Sequence, residues 1–333
     1  MNIYEIAKLA GVSIATVSRV MNDSPLVSEK TKEKVRAVIA QNEYTPNVFA
    51  RGLGLNSMKT IGLICPDVAD NYMARAVARL ERSLRACGYN CFLCCSGSTN
   101  EGCRNELREL LQKRIDGVVL IGSSYADDDP DSGKVDYIRQ AAAGIPVFML
   151  NGYVHGDNIY CALCNDYEAS YSAVSEMIAA GRKKPLFLTN AATYSANQKR
   201  KGCEDALKDA GLPVEECRIL YTPGTIGDVT SRLLRTEIPE FDCILAANDI
   251  LAAGALKYAE KCGLRVPEDV CIIGYNNSQY SVCTNPELSS IDSRLDRLCD
   301  IIVDTLQLCT KEQPVKNKVY VKGFLVRRGT TDF

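Results

Sequence analysis

Nine short apolar runs punctuate the chain from Thr60 onward, with helical patterns between most of them. IGLIC, YNCFLCC, GVVLIG and IPVFML come first, separated by helical periodicity at about 72–87, 101–114 and 134–143. The rhythm then restarts: NIYCALC, a helix near 166–180, KPLFLT, a helix near 196–210, RILYT, a helix near 227–235, CILAA, a helix near 249–262, and VCIIGY. Strands alternating with helices predict parallel sheets covered by helices on both faces. There are too many strands for one compact unit, so the repeat predicts two similar, doubly wound α/β subdomains. Sheets of this kind bind ligands in the crevice beyond the carboxyl ends of their strands. Two such crevices facing each other make a cleft that closes by a hinge motion.

The first 45 residues have a different texture. Ile3, Ile6, Ala7 and Ala10 recur at helical spacing, and Gly11 follows as a helix stop. Ser13 is placed to cap a second helix, in which Val17, Val20 and Met21 form an apolar face. Ile14, Ala15, Ser18, Arg19 and Asn22 line its other face, which is small or flat apart from Arg19. A solvated face normally carries Lys and Glu, so this one is shaped for close approach. Helix, short Gly-containing turn, helix is the layout of a helix-turn-helix, whose second helix enters the DNA major groove. The bland alternative is an ordinary helical hairpin. A third helix is expected at about 29–42, capped by Ser28 and buried through Val35, Val38 and Ile39. Residues 47–53 have only a weak helical pattern, with Gly52 inside it, and read as a linker that folds on a partner.

Charge supports this division. Residues 1–60 carry a net +3 and the remainder −5, a small basic head on an acidic body. No N-terminal stretch resembles a signal peptide, and no run is long and apolar enough for a membrane span, so the expectation is an intracellular, cytoplasmic chain. Sixteen cysteines are present, but no pair of Cys-x-x-Cys knuckles brackets a loop. Cys91, Cys94, Cys95, Cys161 and Cys164 lie in strand-like runs and are expected to act as small buried hydrophobes. His155 is the only histidine. A hydrolytic triad, a histidine metal site, a phosphate loop and a resident cofactor or metal are therefore not expected.

The motifs together carry a resemblance. IAKLAGVSIATVSRVMN, TPNVFARGL, TIGLICPD, LLQKRIDGVVLIG, IPVFMLN, AANDILAAGAL, GLRVPEDVCIIGYNN and FLVRRGTT resemble landmarks of the lactose-repressor (LacI/GalR) family, in order and over essentially the whole chain. The resemblance implies a DNA-binding head at 1–45, a hinge helix and linker at 46–59, and an effector-binding and dimerisation core at 60–333. It divides the core into a first subdomain at about 60–157 and 290–317 and a second at about 158–289 and 318–333, of the periplasmic-binding-protein type. It implies a non-enzymatic transcription regulator, most often a repressor. Such a regulator binds palindromic operator DNA as a homodimer and is switched by a small polar ligand, often a sugar, or by a protein co-regulator.

Residue by residue, the resemblance puts Ile14, Ala15 and Arg19 at base-reading positions. Arg is suited to guanine, and apolar side chains to thymine methyls. It puts Ser13, Thr16 and Asn22 at phosphates, and Leu53 as an apolar wedge in the minor groove. Tyr72, Met73, Asn151, Ser195, Lys199, Asn248 and Asn276 match cleft-facing positions, and Tyr221 lies near the family's aromatic platform. Where the family often has Asp and Arg as ligand anchors, this chain has Asn276 and Lys199. Asn both donates and accepts, and Lys keeps the charge but loses the planar fork. Two other readings stay open on sequence alone: a metabolite-binding protein with a vestigial head, and a sugar-processing enzyme.

Overall fold

A computed structural model describes residues 1–21, 23–42, 57–126, 133–238 and 240–333. The chain forms two compact units: Met1–Thr60 with Arg114–Asp116, and Ile61–Lys113 with Gly117–Phe333.

The head contains α1 (Ile3–Ala10), α2 (Ile14–Met21) and α3 (Glu29–Gln41). Asn2 and Glu5 form a reciprocal capping box that fixes the start of α1. Gly11, at φ 60°, lets the Val12 N–H turn back onto the Ala7 carbonyl at 3.0 Å, so the chain reverses into α2 within three residues. Ser13 Oγ accepts the Thr16 N–H at 3.1 Å, and Ser28 caps α3. Ile6, Ala7, Ala10, Val17, Val20 and Val35 form the core of the three helices, with Ile3, Met21, Val38 and Ile39 packed around them. Asp23 adds an ion pair to Lys32 and another to Arg36, both on α3.

The larger unit holds two six-stranded sheets. The first is built from β1 (Thr60–Cys65), β2 (Asn90–Cys95), β3 (Gly117–Ile121), β4 (Val147–Leu150), β5 (Ile159–Cys164) and β11 (Lys318–Val321), in the order β11-β5-β4-β3-β1-β2. The second is built from β6 (Pro185–Thr189), β7 (Arg218–Tyr221), β8 (Cys243–Ala246), β9 (Cys271–Tyr275), β10 (Ser289–Asp292) and β12 (Phe324–Val326), in the order β12-β10-β9-β8-β6-β7. The helices are α4 (Asn71–Ala86), α5 (Asn100–Gln112), α6 (Asp136–Ala142), α7 (Asp166–Ala179), α8 (Tyr194–Asp209), α9 (Ile226–Arg235), α10 (Asp249–Cys262), α11 (Gln279–Cys283) and α12 (Leu295–Thr310). Leu63, Val119, Phe148 and Leu150 pack against Leu80 and Leu84 of α4 and Leu298 and Ile302 of α12. Phe187, Leu245 and Ile273 pack with Val174, Leu207, Val229 and Leu251. Each such side chain contributes roughly 1.5–3 kcal/mol through burial.

Three strand assignments correct the expected subdomain boundaries. β5 pairs in parallel with β4, Val147 opposite Ile159, and so belongs to the first sheet rather than opening the second subdomain at about 158. β11 pairs with β5 and also belongs to the first sheet, although residues from 318 were expected in the second. β10 pairs with β9 in the second sheet, although residues from 290 were expected in the first. The physical reason lies at 151–158. No helix forms there, so the break in the alternation of strand and helix looked like a new subdomain. The chain instead passes between the sheets after β5, after β10 and after β11.

The cysteines need a second correction. Cys161 and Cys164 are buried, but Cys91 and Cys94 are only partly so and Cys95 is exposed. β2 is an edge strand, and its apolar sequence does not lead to burial. Among the described residues, no helix is long and apolar enough to cross a membrane, and no cluster of His, Cys, Asp and Glu is arranged to hold a metal ion.

Candidate operator-reading face and effector cleft

On the head, α2 buries Val17 and Val20 and leaves Ile14, Ala15 and Arg19 exposed along one side. Ile14 is 39% exposed although a free helix gains by burying it. Among the described residues Arg19 makes no ion pair. Ser13 and Thr16 lie at the start of the helix, and their hydroxyls share a 2.9 Å hydrogen bond. Backbone N–H groups and hydroxyls at a helix N-terminus suit phosphate oxygens. Asn22 and Leu53 lie outside the described residues, as does the hinge expected at 47–53.

In the larger unit, a cavity of about 330 Å³ opens where strands of both sheets end. Seven strand ends supply it. Residues after β1 (Pro66, Asp67, Asp70), β2 (Ser98), β3 (Gly122–Ser124) and β4 (Asn151) line one wall. Residues after β6 (Asn190, Ala191, Thr193), β8 (Ala247, Asn248) and β9 (Asn276) line the other. Seven of the eight expected cleft residues meet here: Tyr72, Met73, Asn151, Ser195, Lys199, Asn248 and Asn276. Tyr221 does not line the cavity. It ends the edge strand β7 and is 49% exposed.

The polar groups are fixed by their own elements. Asn248 Oδ1 caps α10 by accepting the Leu251 N–H at 3.0 Å, which leaves its amide N–H₂ as the free end. Asn151, at φ 57°, accepts the Cys164 N–H at 3.2 Å and is left in the same state. Asn276 follows β9 at φ 88°. Asp67 and Asp70 each use one carboxylate oxygen on a nearby backbone N–H, at 2.9 and 3.0 Å, and keep one as an acceptor. The cavity thus presents amide donors and carboxylate acceptors side by side.

Lys199 is buried on α8. Its Nζ donates to the Ala247 carbonyl at 3.0 Å and lies 3.6 Å above the centroid of the Tyr275 ring. Burial holds its pKa below the usual lysine value, against the pull of Asp166 and Asp249 in the other direction. α8 can bring Lys199 and Ser195 this deep because Gly202 lets it approach α7 closely. A Cβ at 202 would sit 2.4 Å from the Tyr167 carbonyl oxygen.

Two buried carboxylates beneath the cleft were missed by sequence reading. Asp166 accepts the Ser195 hydroxyl at 2.5 Å and the Tyr275 hydroxyl at 2.6 Å. Asp249 accepts the Ser290 hydroxyl at 2.5 Å and the Ser278 N–H at 2.6 Å, and burial raises its pKa. Each opens a helix, where an acidic residue looks like an ordinary complement to the helix dipole. Their partners lie between 29 and 109 residues away, so no local signal exposes them.

Comparison with known proteins places both units. Residues 2–47 match the model for bacterial regulatory proteins of the lacI family, and residues 58–316 match that for periplasmic binding proteins and the sugar binding domain of the LacI family. An HTH-type transcriptional regulator of Lachnoclostridium phytofermentans is 44% identical over the full length of both chains. Catabolite control protein A of Priestia megaterium is 30% identical over 93% of this chain and 92% of its own. The lac repressor dimer bound to operator and the anti-inducer ONPF superposes with a TM-score of 0.87 at 25% identity, covering 99% of this chain and 98% of that one. A complex of the transcriptional regulator CelR with cellobiose shares the fold, with a TM-score of 0.71 at 23% identity, over 99% of this chain and all of that one.

Proposed function

The chain belongs to the LacI family of DNA-binding transcription regulators, and from that premise we propose that it is a repressor that binds a palindromic operator as a homodimer under the control of a small polar ligand in the cleft. Operator reading rests on the exposed face of α2. Arg19 reads guanine by two hydrogen bonds, and Ile14 and Ala15 pack on thymine methyls. Ser13, Thr16 and Asn22 hold phosphates, and Leu53 is the minor-groove wedge. One head contacts too few bases for a unique site, so two half-sites about one helical turn apart are read by two copies.

A second copy also suits the surface of the larger unit. Phe92 and Leu93, on the free edge strand β2, are 44% and 46% exposed. A pocket between α10 and α11 is lined by Leu256, Leu264, Val266 and Tyr280, with Lys257 and Glu260 beside them. An unpaired edge offers backbone groups, and exposed apolar side chains offer surface, that a second copy can cover.

The mixture of donors and acceptors in the cleft supports a hydroxyl-rich ligand. A hydroxyl both donates and accepts, so adjacent ring hydroxyls satisfy the Asn amides and the Asp carboxylates together. The cavity volume suits a molecule of sugar size. Selection of bound sequences from random DNA, followed by a gel shift with and without a panel of sugars and nucleosides, tests the reading. A palindromic consensus whose binding responds to one sugar is the expected result. Failure to select any consensus overturns it. A consensus that responds to none of the panel transfers control to a protein co-regulator.

A further inference from the structure

We propose that Asp166 makes the effector cleft reject anions: its carboxylate balances Lys199 from behind, so the site takes an uncharged, hydroxyl-rich molecule and excludes the phosphorylated form. This inference rests on the cleft being the effector site and goes on to name the charge of its ligand.

Lys199 is the sole basic side chain lining the cavity among the described residues. A lysine there would ordinarily anchor a phosphate or carboxylate. Here its ammonium is already engaged on the side away from the ligand. One N–H goes to the Ala247 carbonyl, and the charge rests on the face of Tyr275. The Tyr275 hydroxyl in turn donates to Asp166 at 2.6 Å. A phenol that donates to a carboxylate gains electron density in its ring, which strengthens the hold of the ring on a cation. Asp166 itself does not line the cavity, so its charge acts on Lys199 without meeting the ligand. The other titratable groups facing Lys199 are Cys164 of β5, whose thiol burial keeps protonated, and Asp249 of α10, which favours the charged amine.

Among the other described side chains that line this cavity none is basic; Arg75 lines a small neighbouring pocket that shares Asp70, Tyr72, Asn248 and Asn276 with it. Asp67 and Asp70 bring carboxylates to the opposite wall. Three helices, α4, α8 and α10, begin at the cleft, and bare helix N-termini attract anions. Each of these is closed by a wall residue. Asp70 takes the Met73 N–H, Thr193 the Ala196 N–H and Asn248 the Leu251 N–H. Asp166 also turns the Ser195 proton away from the cavity, so Ser195 offers the ligand an acceptor rather than a donor. Carboxylates, caps and Ser195 thus all disfavour an anion, and the one cation is already balanced.

Inorganic phosphate, titrated into the full-length protein at constant ionic strength without DNA, tests this. The readouts are thermal unfolding and the ¹³Cε resonance of Lys199. In the wild-type protein, phosphate should leave that resonance unmoved and should shift the melting temperature no more than it does in Lys199→Met. Asp166→Asn should remove the charge that balances the ammonium and bind phosphate at least tenfold more tightly, and Asp166→Asn combined with Lys199→Met should lose that gain. A wild-type response to phosphate that vanishes in Lys199→Met overturns the proposal, as does a folded Asp166→Asn with no gain. If Asp166→Asn does not fold, the wild-type resonance decides: a shift with phosphate refutes, and its absence supports. None of these arms uses operator or effector, so failure here is distinct from failure of the operator reading.

Discussion

Asp249 receives the hydroxyl of Ser290 at 2.5 Å and so ties the first turn of α10 to β10. The same carboxylate takes the Ser278 N–H. Asp249→Ala leaves two buried donors without an acceptor, at roughly 1–3 kcal/mol each. Asp249→Asn keeps an acceptor for the N–H, and the serine hydroxyl can turn to accept from the new amide. Urea denaturation of the larger unit should show a loss of about 2–6 kcal/mol for Ala and clearly less for Asn. Equal losses would mean that charge, rather than hydrogen bonding, sets the effect.

Gly202→Ala tests the close approach of α7 and α8. The new methyl would lie 2.4 Å from the Tyr167 carbonyl oxygen and 2.9 Å from the Tyr171 nitrogen, both backbone atoms that move only if the helices separate. Overpacking of this kind costs about 1–3 kcal/mol. In an exposed helix the same change would be stabilising by up to about 1 kcal/mol. The sign of the change in unfolding free energy therefore settles whether the contact exists.

Lys199→Met should reshape the alkaline limb of the stability profile. Burial lowers the folded-state pKa of Lys199 below the unfolded value of 10.5. Between those two values the unfolded chain holds more protons, so stability rises with pH. The contribution is fully present above 10.5 and is lost as pH falls through the lowered pKa. Met cannot titrate. The wild type should thus gain stability relative to Lys199→Met as pH approaches 10.5, measured by denaturant unfolding at a series of pH values. Parallel profiles would show that Lys199 has an ordinary pKa.

The fold was largely readable because buried parallel strands leave continuous apolar runs. GVVLI and VFML are buried at every position and stand out from their surroundings. Ser289–Asp292 left no such trace, since its buried positions are Ser289, Ser290 and Ile291, and the serines are satisfied by Asp249, Thr330 and Thr331. NCFLCC misled in the opposite sense, because apolar sequence cannot tell an edge strand from a central one. In the cleft, residues that touch the cavity followed recognisable strand ends. Asp166 and Asp249 did not stand out, because their importance lies in partners brought together only by the fold.

Arg19 and Ser13 should separate specificity from affinity in the head. Arg19 is exposed on the side of α2 proposed to read bases, and its backbone carbonyl, rather than its side chain, serves the fold by accepting the Ser24 N–H at 2.9 Å. Arg19→Ala should leave the melting of the head unchanged, cost ~1–3 kcal/mol of operator binding and relax one base preference in each half-site. Ser13 also caps α2 through the Thr16 N–H, so Ser13→Ala removes the proposed phosphate contact and a helix cap together. The lost cap alone should cost about 1 kcal/mol of head stability. Its effect on DNA should be uniform across sequences, because phosphates carry no base information. Binding measured against an operator and its single-base variants distinguishes the two. If Arg19→Ala weakened every sequence equally, or Ser13→Ala changed the ranking of bases, the assignment of the two residues to bases and phosphates would be reversed.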